Sequence, residues 1–237
     1  MPDLSLLGFG EHGWGAVLLT GAGVTIALAL ACLPFGLPLG LLVAVANRSK
    51  HWLPRLWATV FSTFFRGLPE LLTLLVVYYG VQILVQKIFA HFGIQQEFRI
   101  NAFMAAVTAF SLVLAAFSAE VWQAAFKTIP KGQWEAAQSL GLPRRTTFLK
   151  VILPQLMRVA LPGLSNNWLT LLKDSSLVST ISLVELMRQT TLAVAATKQP
   201  LLFYFVACLL YLVLSALSGL VFSWAENHFN RHHQEAH

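Results

Sequence analysis

Five charge-poor stretches constrain the fold of this 237-residue chain more than any other feature of its sequence. They cover residues 14–46, 71–86, 102–126, 159–172 and 201–224. About 20 apolar residues cross the hydrocarbon of a bilayer as a helix, so three of these stretches are long enough by themselves. The second must also use residues before Glu70, Arg66 among them, and the fourth must also use residues 173–181. We predict five membrane-spanning helices, of which the second and fourth are irregular.

The composition agrees with a membrane protein and with no other broad class. Apolar residues make up 57% of the chain and charged residues only 11%, whereas about a quarter of the residues in a soluble domain are charged. The sequence therefore predicts an all-α integral membrane protein.

The positive charges indicate which side of the membrane each connecting segment occupies. If the amino terminus is outside, the inner segments hold ten Lys and Arg residues and the outer segments hold four, with charges inside spans left out. Because Lys and Arg are enriched in cytoplasmic segments, we predict an outer tail over 1–13, a membrane domain over 14–226 and a cytoplasmic tail over 227–237. The formal charge of +6 follows from this topology and not from a nucleic-acid partner. The first span has no basic residue before it, which favours a permanent span over a cleaved signal peptide.

A polar, basic segment over 127–158 separates the third span from the fourth. Pro130 can begin a short helix, since its missing N–H costs nothing at that position, and Gly141 can end the helix in the left-handed conformation. Pro143 can begin a second helix, which Pro154 is expected to bend or end. We therefore predict a cytoplasmic helical hairpin over these residues.

The first helix of this hairpin carries a narrow apolar stripe. Trp134, Ala137 and Leu140 recur at three-residue spacing with Ala136 beside them, and residues three or four apart lie on one face of a helix. A stripe with small residues fits the groove of a partner protein. The other interpretation is an amphipathic loop on the lipid surface, which the basic residues would also favour.

Charged residues within the predicted spans are candidates for a functional site. They are Arg66, Glu70, Glu120, Lys173 and Asp174. A charge at the centre of a membrane helix costs roughly 2.5–3.5 kcal/mol on insertion scales, so each needs a partner or water.

The segment Arg66-Gly67-Leu68-Pro69 should interrupt the second span. Irregular backbone at membrane depth is tolerated only against protein or a cavity. This segment either borders a translocation path or holds an ion pair between Arg66 and Glu70. Glu120, near the inner end of the third span, lies either on the path or at the membrane interface.

The fourth span offers two further groups. Lys173 and Asp174 are neighbours, so on a helix they point about 100° apart, and we expect one to face the path and the other a neighbouring helix. Ser175 and Ser176 can satisfy backbone groups where the helix breaks. The patch Asn166-Asn167-Trp168 either lines the path, with Asn167 as the candidate, or makes hydrogen bonds between helices.

Acidic groups in the spans suit a cationic cargo, which Glu70, Glu120 or Asp174 would bind. The sequence contains no G-x-x-x-x-G-K-[ST] segment for binding a nucleotide. It also lacks a Cys/His cluster or a nucleophile motif. We therefore predict a chain that is not an enzyme and has no metal site or cofactor of its own.

The hairpin sequence EAAQSLGLPRRTTFLKVILPQ resembles the EAA signature of bacterial ABC importer permeases, with Glu135-Ala136-Ala137, then Gly141, then Ile152-Leu153-Pro154. Other blocks, in order, resemble the polar amino-acid branch of that family: RGLPELL, VVYYGVQ, IPKGQWEAA, ALPGLSNNW and LLKDSSLVS. The likeness is strongest to Q-type subunits for histidine, lysine, arginine and ornithine, or for opines such as octopine and nopaline. It covers residues 13–225.

The resemblance implies a type I importer permease with the MetI-like fold, in which the hairpin is a coupling helix seated in a cleft of an ATPase. The implied coupling residues are Trp134, Glu135, Ala136, Ala137, Leu140, Gly141, Pro143 and Arg144. Glu135 would order the hairpin or touch the ATPase, while Trp134 and Arg144 are either further contacts or ordinary surface packing. The implied path residues are Arg66, Glu70, Glu120, Asn167, Lys173, Asp174 and Ser175.

The resemblance also implies partners and a location. These are two ABC ATPase subunits that bind ATP and Mg²⁺, a periplasmic binding protein, and a homologous M-type permease in preference to a second copy of this chain. The protein would lie in the bacterial inner membrane, with its amino terminus in the periplasm, and would import polar amino acids, basic ones in particular, or opines by alternating access. The rival functions are a nucleotide-independent channel or secondary carrier, and a membrane enzyme.

Overall fold

The computed structural model describes residues 4–10, 13–94 and 96–234, and every regular element within them is helical. A 3₁₀ turn at Leu4–Leu7 precedes eight helices. These are α1 (Gly15–Asn47), α2 (Trp52–Gly67), α3 (Glu70–His91), α4 (Ala102–Thr128), α5 (Lys131–Ser139), α6 (Arg144–Ile181), α7 (Leu186–Thr197) and α8 (Pro200–Gln234).

Five of these helices, α1, α3, α4, α6 and α8, are long and apolar enough to cross a membrane. This confirms the predicted number of spans. Two contain a π-helical turn, Val76–Gly80 in α3 and Thr147–Ile152 in α6. The irregularity predicted for the second and fourth spans is therefore present in both.

Helix α4 lies at the centre of the fold, against α1, α2, α3 and α6. It is rich in alanine, and two thirds of its most apolar stretch is buried. Small residues let membrane helices approach closely, and α1 meets α4 through Gly36 and Gly40. A Cβ atom added to Gly40 would lie 2.8 Å from the carbonyl oxygen of Ala115. The contact between α1 and α4 is therefore backbone against backbone at this point.

The backbone between α2 and α3 is extended at Leu68 and Pro69, as the Arg-Gly-Leu-Pro sequence predicts. Helix α3 begins only at Glu70 and has membrane length by itself, with 22 residues. The preceding residues nevertheless lie beside α4, because Arg66 contacts Glu120, eight residues before the end of α4 at Thr128. Eight helical residues correspond to roughly 12 Å along the axis.

The helix that contains the fourth span starts earlier than expected, at Arg144. The prediction that Pro154 can end a helix is not met here. The helix continues through Pro154, because the π-helical turn Thr147–Ile152 precedes it and an α-helical segment restarts at Leu153. Pro154 thus lies in the first turn of the α-helical segment that begins at Leu153, where its missing N–H is not needed. At the end remote from the hairpin, the helix tightens to a 3₁₀ turn at Ser175–Ile181. There the buried Ser175 hydroxyl donates to the Leu172 carbonyl at 2.6 Å, as expected for this serine.

The last helix also extends further than the sequence boundary at 226. Helix α8 continues to Gln234, since neither glycine nor proline follows Gly219. The segment assigned as a tail, 227–237, is therefore largely helical, and its last three residues lie outside the described part of the chain.

A buried carboxylate joins three elements at the end of the fold remote from the hairpin. Glu185 caps α7 by accepting hydrogen bonds from the backbone N–H groups of Met187 and Arg188, both at 2.7 Å. The hydroxyls of Thr25 in α1 and Tyr211 in α8 donate to the same carboxylate at 3.4 and 3.3 Å. Glu185 is fully buried, and it links α7 to the first and last spans.

We expect the stability of the protein to depend on pH through Glu185, which lies outside the membrane-spanning helices. Burial raises the pKa of its carboxyl above the ordinary value of 4.5, although the backbone hydrogen bonds oppose this effect. The folded chain thus holds this proton more tightly than the unfolded chain. Stability should therefore fall as pH rises above 4.5 and level off above the raised pKa, with a slope of at most about 1.4 kcal/mol per pH unit.

Glu185→Gln should remove this slope while its amide oxygen keeps one capping bond. Thermal unfolding in detergent, followed between pH 4.5 and neutral pH, measures the effect. Glu97→Gln is the matched control, because the Glu97 side chain is 76% exposed on the outer connection. A slope that survives in Glu185→Gln would assign the pH dependence to another group.

Candidate coupling surface and translocation path

The hairpin between α4 and α6 is closed by a Schellman cap, the motif in which a left-handed residue ends a helix. Gly141 has φ of +71°, and its N–H donates to the carbonyl of Gln138 at 2.9 Å. The N–H of Leu142 donates to the carbonyl of Ala137 at 3.0 Å. Pro130 and Pro143 precede the helices on either side. The corner thus forms as the positions of Gly141 and the two prolines predict.

The apolar stripe predicted on α5 is divided between two environments. Ala137 is 4% exposed and Trp134 packs against the inner core cluster, a group that includes Trp122, Phe126 and Ile152. Leu140, by contrast, is 79% exposed. The expectation that the whole stripe faces a partner is therefore wrong for Ala137, which is buried. Trp134 is partly buried and packs onto the membrane domain, which is the packing interpretation given for it.

The surface that the hairpin presents to the outside consists of other candidates. They are Glu135, Ala136, Leu140, Gly141, Pro143 and Arg144, all of which are exposed. Together they carry one carboxylate, one guanidinium and one large apolar side chain.

Helix α6 carries a polar, exposed face through the membrane region. Val159, Asn166, Thr170 and Lys173 are exposed on this side, and their spacing places them within about 60° around the helix. On the opposite side Leu164, Trp168, Leu171 and Leu172 are buried. Amide, hydroxyl and ammonium groups are costly against lipid, so this face suits water or another protein.

A cavity of about 150 Å³ lies between this face and α4. Asn166, Asn167, Thr170 and Asp174 line it from α6, and Phe110, Val113, Leu114 and Phe117 line it from α4. Asn167 also donates to the Ser118 hydroxyl at 3.4 Å. Asn167 thus joins the two helices and also lines the cavity, and its place on a translocation path stays a prediction.

An ion pair lies beside this cavity. An amino group of the Arg66 guanidinium is 2.6 Å from a carboxylate oxygen of Glu120, and the guanidinium lies 5.9 Å from the centre of the Phe117 ring. The alternative pair between Arg66 and Glu70 is wrong, because the extended residues Leu68 and Pro69 destroy the one-turn helical spacing that such a pair requires. The partially exposed pair instead connects the break after α2 to α4.

The remaining candidates surround the outer part of the cavity. Asp174 lines the cavity and Lys173 is exposed, so the two neighbours point in different directions. That one of them faces a translocation path stays a prediction. Glu70 and Lys173 interact electrostatically with Asp174. Sequence reasoning missed Phe117 and Thr170. The four-residue spacing of Asn166, Thr170 and Asp174 along α6 was the available signal for Thr170.

The family model of the inner membrane component of binding-protein-dependent transport systems matches residues 36–232. The chain belongs to this family. This permease is 40% identical to the nopaline transport system permease protein NocQ of Agrobacterium fabrum, with 97% of this chain and 98% of that protein covered. It is 39% identical to the arginine ABC transporter permease protein ArtQ of Escherichia coli, with 86% and 91% covered.

The fold comparison agrees with the family. A chain from the crystal structure of an amino acid ABC transporter with histidines superposes on this permease with a TM-score of 0.75 and 28% sequence identity. The match covers 91% of this chain and 95% of that one. The resemblance drawn from the EAA segment is confirmed, and the permease has the MetI-like fold of ABC importers.

The role of the Arg66–Glu120 pair in this permease is testable by exchanging the charges. Arg66→Glu and Glu120→Arg should each lower transport about tenfold or more, because each leaves two like charges in contact at membrane depth. The double variant Arg66→Glu/Glu120→Arg should recover most of the activity. Initial rates of uptake in vesicles measure this. If the double variant stays as inactive as the single variants, Glu120 acts on the cargo rather than on Arg66.

Proposed function

We propose that this chain is the membrane-spanning subunit of an ATP-driven importer of basic amino acids or opines. The carboxylate-lined cavity between α4 and α6 is the observation that carries this proposal. Asp174 lines the cavity, Glu70 interacts with Asp174, and Glu120 lies next to it. A cationic side chain entering this region would meet the Asp174 carboxylate with Glu70 near it, and opposite charges attract each other more strongly near a protein surface than in bulk water.

The named relatives support the same class of cargo. Their names refer to nopaline and to arginine, and both molecules carry a guanidinium group. We therefore assign the cationic end of the cargo to the neighbourhood of Asp174 and Glu70, while Glu120 remains paired with Arg66. Asn166, Asn167 and Thr170 would orient the uncharged part of the cargo through hydrogen bonds.

One chain supplies only one side of such a path. The polar face of α6 is open in the isolated chain, and a second permease subunit would cover it. We propose a homologous M-type subunit for this position. A periplasmic binding protein would then deliver the cargo to the pair, and its selectivity would contribute to that of the whole system.

The exposed hairpin surface provides the connection to an energy source. Leu140, Glu135 and Arg144 project from a rigid corner, which suits insertion into a cleft of a separate ATPase that binds ATP and Mg²⁺. Closure of two such ATPases would move two hairpins and switch the permease pair between outward and inward openings. The excess of positive charge in the hairpin supports a cytoplasmic position for it, with the amino terminus in the periplasm and the carboxyl terminus in the cytoplasm.

Reconstituted vesicles test this function directly. The permease is co-expressed with the proposed ATPase, second permease and binding protein of the same organism, and radiolabelled L-arginine uptake is measured with ATP or with a non-hydrolysable analogue inside the vesicles. We expect uptake that requires both ATP and the binding protein. Uptake by this chain alone without nucleotide would replace the proposal with a channel or secondary carrier. Uptake of neutral but not cationic amino acids would reject the assigned cargo.

A further inference from the structure

A second polar pocket lies at the base of the hairpin, away from the carboxylate-lined cavity. Its volume is about 510 Å³. The lining residues are Thr128, Ile129, Pro130, Gln133, Gln155, Arg158 and Val159. The pocket therefore joins the inner end of α4, the first turn of α5 and the inner part of α6.

Arg158 is the only charged residue among those lining this pocket. Its Nε atom is buried, and within the described part of the chain it has no hydrogen-bond partner. A guanidinium is always charged and offers five N–H donors, so a buried guanidinium nitrogen without a partner is costly. An anion that enters the pocket would remove this cost.

Two neutral amides flank the guanidinium. The Nε2 atom of Gln155 donates to the carbonyl of Val151 at 2.8 Å and to Oε1 of Gln133 at 3.3 Å. Because both amides are uncharged, Arg158 supplies the only positive charge of the lining. The pocket is therefore suited to an anion with a single negative charge. Gln133 belongs to the hairpin, so an anion bound here would also contact the coupling element.

The pocket shares one face of α6 with the carboxylate-lined cavity. Gln155 and Val159 lie within about 40° of Asn166 around the helix axis, and Val159 is 43% exposed. The direction of α6 places the pocket on the hairpin side of the cavity. Cargo that leaves the cavity along this polar face towards the hairpin would pass the pocket.

We propose that this pocket is a release-side site that binds the α-carboxylate of the cargo through Arg158. A basic amino acid carries one carboxylate in addition to its cationic groups. Next to the cavity, the guanidinium of Arg66 is already paired with Glu120. Further along the face, Arg158 offers a cation without a partner among the described residues. The site rests on the proposed function, because it requires an amino-acid cargo.

A release-side site has a measurable consequence, which is inhibition by cargo that has accumulated inside. Cargo bound to Arg158 from the cytoplasm would hold Gln133 and hence the hairpin in the inward-open arrangement. Import should therefore slow as internal L-arginine rises. Agmatine, which is L-arginine without its carboxylate, should inhibit much less.

The test uses the assembled importer in vesicles, with ATP sealed inside and the binding protein outside. Initial uptake of labelled L-arginine is measured at increasing internal concentrations of unlabelled L-arginine or of agmatine. In the wild type we expect L-arginine to inhibit at concentrations at least about tenfold lower than agmatine, since the lost contact is a charge-assisted hydrogen bond. Arg158→Gln should abolish this difference, and Arg158→Lys should retain part of it.

Lys150→Gln is the matched control, because Lys150 is an exposed cation of α6 that does not line the pocket; it should keep the difference. Equal inhibition of the wild type by L-arginine and agmatine overturns the site even if Arg158→Gln fails to assemble. An Arg158 effect that follows the anionic phospholipid content of the vesicles, and not internal L-arginine, also overturns it. Absence of ATP-dependent L-arginine uptake would instead reject the proposed function, so the two failures are distinguishable.

Discussion

Replacing Gly141 with valine is expected to lower ATP-driven import at least tenfold while leaving the protein folded in the membrane. Gly141 has φ of +71°, and a Cβ atom added there would meet nothing within 4 Å. The cost of the substitution is therefore backbone strain and not a clash. For a residue with a side chain, the left-handed conformation costs roughly 1–2 kcal/mol, and more for a β-branched one. The corner should open, and Leu140 should leave its position.

Two control variants separate this effect from general damage. Gly93 has nearly the same φ, +72°, at the outer end of α3 and is equally unobstructed, so Gly93→Val adds the same strain on the other side of the membrane. Gly132 lies in α5 with open space and no positive φ, so Gly132→Val adds bulk to the hairpin without strain. We expect import by both controls to remain within about twofold of the wild type. Equal loss of import in Gly93→Val would contradict a special role for the corner.

The second large effect is expected at the contact between α1 and α4. Gly40→Val should destabilise the folded chain by about 3 kcal/mol or more, because overpacking typically costs 1–3 kcal/mol even where side chains can move. Here the opposing atom is the Ala115 carbonyl oxygen, 2.8 Å from the added Cβ, and backbone cannot rotate away. The two helices must separate or shift along their length.

The buried thiol of Cys32 provides a measurement of this effect. Cys32 is buried within the same helix, and Cys208 is exposed, so the experiment uses a Cys208→Ser background and follows labelling of Cys32 by a thiol-reactive dye during heating. Gly40→Val should expose Cys32 at a temperature several degrees lower than the parent. Gly23→Val is the matched control in α1, because nothing lies within 4 Å of a Cβ atom at that position. Similar labelling curves for the two variants would show that the close contact does not limit stability.

Local rules predicted the parts of this fold that depend on neighbouring residues. The spans follow from runs of apolar residues, and the hairpin corner follows from Gly141, Pro130 and Pro143. The extended link before Glu70 follows from its glycine and proline. In each case the responsible residues lie within a few positions of the structure they determine, so a single sequence contains the necessary information.

Contacts between distant segments were predicted less well. Arg66 pairs with Glu120, 54 residues away, whereas the sequence suggested the nearer Glu70. Trp134 and Ala137 face the membrane domain, because the end of α4 and the start of α6 provide an apolar surface that no periodicity within α5 reveals. The hydrogen bonds of Glu185 likewise connect positions 160 residues apart in the case of Thr25.

The packing of Trp134 and Ala137 onto the membrane domain means that a movement of the hairpin would also move that domain. These side chains fix the hairpin to the inner core cluster, to which both α4 and α6 contribute, and the same two helices form the walls of the cavity. If the hairpin couples to an ATPase as proposed, a displacement of Leu140 would therefore reach both walls of the cavity together. The rigidity of this contact would then determine how much of each ATP-driven movement of the hairpin reaches the walls of the cavity.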